Sequence, residues 1–258
     1  MFMKSLLLMV LGCLSLPVYA GDLSAQQKNA VQSIINHFKN NDRQAIIQAV
    51  HYPLTRETPL PSIKNAQQMQ KRYAEVFDNQ LSQKIARSKV SDWGEIGWRG
   101  IAFEDGKVWL NQMSDDEHAP WQIITVNYES AAEKSLRQKA LQQQKAQLHP
   151  SLQNFKEPVF LFQTPKHLVR IDLLNNDAYR YASWRQNSSQ SSKPDLVLTS
   201  KDSSIEGSAG NQNIVFKSGP YTYEVYRNIV GASSADMLLT VLKNGQPILN
   251  EEGTLIDY

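Results

Sequence analysis

The stretch IGWRGIAFEDGKVWLNQ, residues 96–112, is where the spacing of apolar residues changes from helical to extended. Two apolar runs, 96–103 and 107–112, flank Asp105-Gly106. An Asp-Gly pair between such runs predicts a β-hairpin, because both turn positions need positive φ. Downstream, WQIITVNY at 121–128 reads as a third strand. Upstream the period is helical. Ser24 and Gln27 form a capping box ahead of Ala30, Val31, Ile34, Ile35 and Phe38 on one face. Asp42 caps a short second helix with Ala45, Ile46, Ala49 and Val50 inward, which His51-Tyr52-Pro53 ends. Asn65 and Gln68 open a third helix carrying Met69, Tyr73, Val76 and Phe77, with Leu81 and Ile85 extending the same face. Three helices followed by a curved antiparallel sheet make an α+β arrangement.

The helix pair, YPL at 52–54, RYAEVFD at 72–78 and GWRGIAFEDGKVWL at 97–110 together resemble the nuclear-transport-factor-2-like superfamily, especially its small exported bacterial members. The resemblance spans residues 22–128. It implies helices packed across a bent sheet to form a cone with an internal pocket, a scaffold that hosts catalysis in some members and binding or assembly in others.

Residues 129–148 are rich in helix formers but carry only a thin apolar stripe through Ala132, Leu136 and Ala140, which predicts a partly solvated connecting helix ending before Pro150. From residue 155 the chain reads as short strands: 159–163, 168–174, 179–185, 195–199, 214–217, 221–228, 237–243 and a last one near 247–250. Asn244-Gly245 marks another tight hairpin. Residues 186–193 and 203–213 read as loops. The expected organisation is a leader at 1–20, an α+β domain at 21–128, a connecting helix and linker at 129–154, and an all-β antiparallel sandwich or barrel at 155–258.

Residues 1–20, MFMKSLLLMVLGCLSLPVYA, have the order of a secretion signal: Lys4, an apolar run from Leu6 to Leu11, and a small-residue cleavage site at Val18-Tyr19-Ala20. They are too short, and interrupted by Pro17, for a membrane span, so no transmembrane helix is expected after cleavage. Cleavage after Ala20 would place the chain in a Gram-negative periplasm. Val10-Leu11-Gly12-Cys13 offers the alternative of a lipoprotein tethered through Cys13. That is the only cysteine, so no intramolecular disulfide is possible. The 27 Lys and Arg against 25 Asp and Glu become 26 against 25 without Lys4. So even a balance lacks the basic footprint of a nucleic-acid binder.

No residue constellation names a reaction. Glu95 and Arg99 are expected on one face of the 96–103 strand region with Trp93, Ile101 and Phe103, and Glu95 or Asp92 is the candidate base for a pocket enzyme. Tyr73, Trp98 and Trp109 are candidate pocket walls for a small apolar ligand. Tyr181 and Tyr223 belong to two aromatic sets (Tyr179, Tyr181 and Trp184; Tyr221, Tyr223 and Tyr226) whose period-two tyrosines, exposed, would form an interaction surface and, buried, would stabilise the sheet. His37, His51, His118, His149 and His167 have no ligand spacing, and Asp115-Asp116-Glu117-His118 lacks the pattern of a calcium loop. Gly207-Ser208-Ala209-Gly210 has neither P-loop nor dinucleotide spacing. No cofactor or metal is expected. The leading expectation is a non-catalytic exported protein that binds a small apolar ligand or an envelope protein; an envelope hydrolase or isomerase, and an inhibitor or immunity protein against a secreted enzyme, are the alternatives.

Overall fold

The computed structural model describes residues 22–114, 116, 118–206, 211–229 and 235–256. The leader with Cys13, Asp115, Glu117 and the 207–210 glycine segment lie outside them. The fold is α+β: helices and a curved four-stranded antiparallel sheet, then a helix and a nearly closed nine-stranded antiparallel barrel. Two compact units divide it. One joins the chain up to His51 with Gln80–Tyr128, and the other joins Tyr52–Asn79 with Glu129–Tyr258.

In the first unit, α1 (Ala25–Lys39) starts on the Ser24–Gln27 capping box, both halves of which are made. It buries Val31, Ile34, Ile35 and Phe38, and α2 (Arg43–Gln48) follows under the Asp42 cap with Ile46 and Ile47 buried. The sheet runs in the order β1 (Trp93–Glu95), β2 (Ile101–Phe103), β3 (Val108–Gln112), β4 (Trp121–Val126). Val108, Leu110, Ile123 and Val126 are buried on its inner face. A register shift at Trp109/Leu110 adds local twist to the β3–β4 pair.

Two expectations are corrected here. Residues 96–103 are not one strand, because a 3-10 turn at Gly97–Arg99 separates β1 from β2. Gly100, at φ +97°, carries the chain out of that turn, and a Cβ there would lie 2.2 Å from the Leu110 carbonyl oxygen. Glu95 and Arg99 therefore share no strand face. The hairpin does form, but through a four-residue connection with positive φ at Glu104, Asp105 and Gly106 rather than at two positions.

In the second unit, α3 (Ala66–Val76) opens on Asn65, whose side chain accepts from Gln68 N, while Gln68 Oε1 accepts from Lys64 N. The helix stops at Val76 because Phe77 leaves helical φ/ψ. Leu81 and Ile85 accordingly belong to a separate helix of the first unit, α4 (Asn79–Arg87), instead of extending α3.

Helix α5 (Ala131–Gln147) also departs from its predicted face. Ala132 and Leu136 are exposed, and the residue it buries is Glu133. Arg56 grips that carboxylate with two nitrogens, Ser130 caps the helix through Glu133 N, and the Ser130 hydroxyl donates to the Glu75 carbonyl at 2.6 Å. Ion pairing and capping, rather than an apolar stripe, fix the start of α5 against the 52–79 segment.

The barrel has two meanders. The first is β5 (Glu157–Gln163), β6 (His167–Leu173), β7 (Tyr179–Arg185) and β8 (Leu196–Ser200). The second is β9 (Ser203–Glu206), β10 (Asn211–Ser218), β11 (Tyr221–Arg227), β12 (Met237–Lys243) and β13 (Gln246–Leu255). They join where β13 pairs with β5 through Thr254–Gln163 and Leu255–Phe162, and β8 comes alongside β10 to bring the sheet near closure. Gly253 belongs at the seam, since a Cβ there would lie 2.8 Å from the Phe162 ring. The segment expected as a loop at 203–213 instead holds β9 and the start of β10, paired from Ser203–Ile214 to Glu206–Asn211. A polar composition is no obstacle to an edge strand, whose outer side faces water.

Phe162, Val169, Ile171, Tyr181, Ile214, Phe216, Val225, Met237 and Leu239 fill the barrel. Full burial of such a side chain contributes about 1.5–3 kcal/mol. The other face of β7 is covered too, because Ala182 and Trp184 pack with Leu148, Leu152 and Phe155. The middle residues of strands β6 and β7 are thus buried on both faces, with Arg170, Asp172 and Arg180 interrupting their apolar pattern. Among the described residues no helix is long and apolar enough to cross a membrane.

Candidate functional site

The barrel core stops short of one end, where β6, β8, β11 and β13 begin and β7 and β12 finish. A cavity of about 490 Å³ opens there. Tyr181, Tyr223, Leu239 and Val241 form its floor, Leu196, Ile248 and Leu249 its walls, and His167, Ser183, Arg185 and Asp195 its polar rim. The two tyrosines meet across the interior, not along neighbouring strands, with ring centroids 5.7 Å apart. Tyr181 is 2% exposed and Tyr223 half-buried. Tyr181 therefore offers no exposed contact surface, and its burial fits the sheet-stabilising alternative rather than an interaction surface. Period two on β7 and β11 turns both side chains inward. Burial pushes the Tyr181 hydroxyl up to about 12, so it is a neutral donor and acceptor at physiological pH.

Beneath His167 lies Glu251, 8% exposed on the inward face of β13. Its Oε2 accepts from the Thr164 hydroxyl at 2.6 Å and lies 3.0 Å from His167 Nδ1. Its Oε1 is buried without a hydrogen bond, and Lys166 Nζ is 3.7 Å away. Burial pushes this carboxyl up, but hydrogen bonds from Thr164 and His167, with the charges of His167 and Lys166, outweigh it and hold the group below the usual carboxylate range. A folded-state pKa below the unfolded one gives stability that is present above the unfolded value, near 4.5, and is lost as pH falls through the folded value. Glu251→Gln is expected to lose about 1–3 kcal/mol at pH 7. Thermal melts of both proteins from pH 7 down to pH 3 should show the gap closing, and a gap independent of pH would contradict this account.

The candidates of the first unit are dispersed. Glu95 is half-exposed and accepts from Gln27 Nε2 at 2.9 Å, a bond that ties β1 to α1. Asp92 is exposed and accepts from Lys89 N at 2.7 Å, closing a 3-10 turn. It lines a charged cleft with Lys84, Arg87 and Glu104, which Glu95 does not reach. Neither carboxylate faces an apolar cavity. Trp98 and Trp109 do come together, with Met113 and Ile124, on the outer face of the sheet, where Trp98 is 68% exposed. Tyr73 is elsewhere: buried on α3 in the second unit, with its ring 5.5 Å from that of Phe77.

Among the described residues no group of three or more His, Cys, Asp or Glu is placed to hold a metal ion. No family model, characterised protein or solved structure matches the chain. The functional reading therefore rests on the chain's own geometry.

Proposed function

We propose that this is an exported, non-catalytic binding protein of the bacterial envelope whose barrel end holds a small, largely apolar ligand with a polar end. The observation that carries the reading is the cavity of about 490 Å³ with a tyrosine and aliphatic floor and a His167, Arg185 and Asp195 rim. Ligand sites commonly have roughly this size, about 300–1,000 Å³, and this division between apolar walls and a few polar groups. Export is supported by the charge and apolar pattern of residues 1–20 and by a mature sequence without cysteine, cleavage being placed after Ala20. The resemblance of residues 22–128 to the nuclear-transport-factor-2-like superfamily enters the proposal as a scaffold only, since its candidate pocket residues Glu95, Asp92, Tyr73, Trp98 and Trp109 line no common cavity.

N-phenyl-1-naphthylamine, an uncharged aromatic dye that brightens in apolar sites, is a suitable probe. Saturable binding with one site per chain is expected. Ile248→Trp, at an exposed position on the cavity wall, should obstruct it and weaken binding at least about tenfold, the equivalent of about 1.4 kcal/mol. Tyr223→Ala should change dye affinity without unfolding the chain, since Tyr223 is only half-buried. Absence of saturable binding, or affinity untouched by both substitutions, would remove the proposal's basis.

A further inference from the structure

The polar end of the ligand is specified by the charges around the barrel opening, an inference that rests on the barrel cavity being the binding site. A chain seated on the tyrosine and aliphatic floor leaves its head at the rim, so the rim selects the head. Period two along β7 puts Arg185 on the inward face after Tyr181 and Ser183, and Arg185 is the one Lys or Arg in the cavity lining. It is paired in register with His167 of β6. The next residue, Gln186, donates its N–H to the Lys166 carbonyl at 2.8 Å, which holds the Lys166 turn beside Arg185. On the opposite wall Lys243 ends β12 with Nζ 5.6 Å from the Tyr221 ring, and Lys217 lies next to the end of β10.

The carboxylates at this opening are fewer, and they are engaged. Glu251 is buried and held by Thr164, His167 and Lys166. Asp195 Oδ2 accepts from Arg185 N at 3.0 Å. Among the described residues the Arg185 guanidinium itself makes neither a hydrogen bond nor an ion pair, and it is exposed at the rim.

The imbalance is confined to one end of the barrel. Over the turns and strand ends at the opening, 164–167, 185–195, 217–221 and 243–246, the sequence has Lys166, Arg185, Lys193, Lys217 and Lys243 against Asp195. The corresponding segments at the far end, 173–179 and 227–237, have Arg227 against Asp177 and Asp236. A cleft with low-dielectric walls and one sign of charge at its mouth concentrates the opposite sign there.

We propose that the barrel cavity binds a single-chain amphiphile with an anionic head, a carboxylate or a phosphate ester. The chain lies on the Tyr181, Tyr223 and Leu239 floor and the head meets the Arg185 guanidinium, with Lys166 and Lys243 adding to the attraction. A guanidinium offers paired N–H donors that match two oxygens of either head.

Isothermal titration calorimetry of the purified chain at low ionic strength, with decanoate, decyl phosphate, decanol and decyltrimethylammonium below their micelle thresholds, separates the contribution of the head from that of the chain. At least one of the two anions should bind about tenfold or more tighter than decanol, and the cation should bind weakest. Tighter decanoate assigns a carboxylate head, and tighter decyl phosphate a phosphate ester. Because Arg185 is exposed, Arg185→Gln should keep the parent's thermal midpoint. In that variant the anion-to-decanol preference should fall by about fivefold or more. Decanol binding as tightly as both anions, or a preference undiminished in Arg185→Gln, would overturn the anionic head while leaving the apolar cavity site in place. Binding of none of the four would overturn both.

Discussion

Asp172→Asn is expected to lose about 3–5 kcal/mol of folding stability, the range found when one member of a buried ion pair is removed. The side chain is fully buried. Its Oδ1 accepts from Arg170 Nε at 2.8 Å, and its Oδ2 accepts from Arg180 Nη2 at 2.6 Å. Asparagine keeps the volume but deletes the one negative charge, so the loss isolates electrostatics from packing. Two guanidinium groups then face each other across an uncharged amide, beneath the covering helix. Urea denaturation followed by near-ultraviolet circular dichroism of the buried Trp184 gives the measurement. A loss under about 1 kcal/mol, the range of an exposed pair, would mean that solvent or another anion already neutralises the arginines. Replacing all three charges with Met or Leu should recover most of the loss, since apolar packing commonly equals or exceeds a buried ion cluster in stability.

Such a cluster is hard to find in a sequence, though the strands that carry it are not. β7 and β12 are where alternation and the flanking turn residues place them, and β6 is displaced by one residue. The reason is local: Asn175-Asn176-Asp177 and Asn244-Gly245 turn the chain, and Asp177, Asn244 and Gly245 adopt positive φ. What alternation does not reveal is that Arg170 and Asp172, on the outward positions of β6, are buried, Arg170 against Gln144 of α5 and Asp172 between Arg170 and Arg180. For Arg170 that burial depends on a helix distant in sequence. Without it, Arg-x-Asp on a strand reads as a solvated face.

The same limit governs the site residues. His167 and Glu251 are 84 positions apart and meet only because β13 closes against β5. One signal was present: Glu251 shares its strand parity with Leu249 and Leu255, so a carboxylate sits on the inward face. Glu95 misled for a different reason. Glycines at 94, 97 and 100 interrupt the apolar run, and the chain uses the last two, both at positive φ, to turn between Glu95 and Ile101. An isolated glycine in a strand pattern marks a bend as readily as an extended residue.

The helix α5 carries the other large effect, at the Arg56–Glu133 pair. Both side chains are almost wholly buried, and the two residues are 77 positions apart. The pair therefore anchors the 52–79 segment to α5 within the second unit. The two single substitutions are not equivalent. Arg56→Met leaves the Glu133 carboxylate with Arg72 Nη2 at 3.9 Å, a ready secondary partner. Glu133→Leu leaves a guanidinium buried with its carboxylate gone. Loss should therefore be larger for Glu133→Leu, at about 3–5 kcal/mol, than for Arg56→Met. The double variant should recover toward the parent, because two apolar side chains of similar length fill the space with no charge stranded. Urea midpoints of the four proteins form a closed cycle that measures the coupling. If the double variant were as unstable as Glu133→Leu, the pair would be fixing geometry that packing cannot replace. Equal single losses would show that Arg72 does not move in to take the vacated carboxylate.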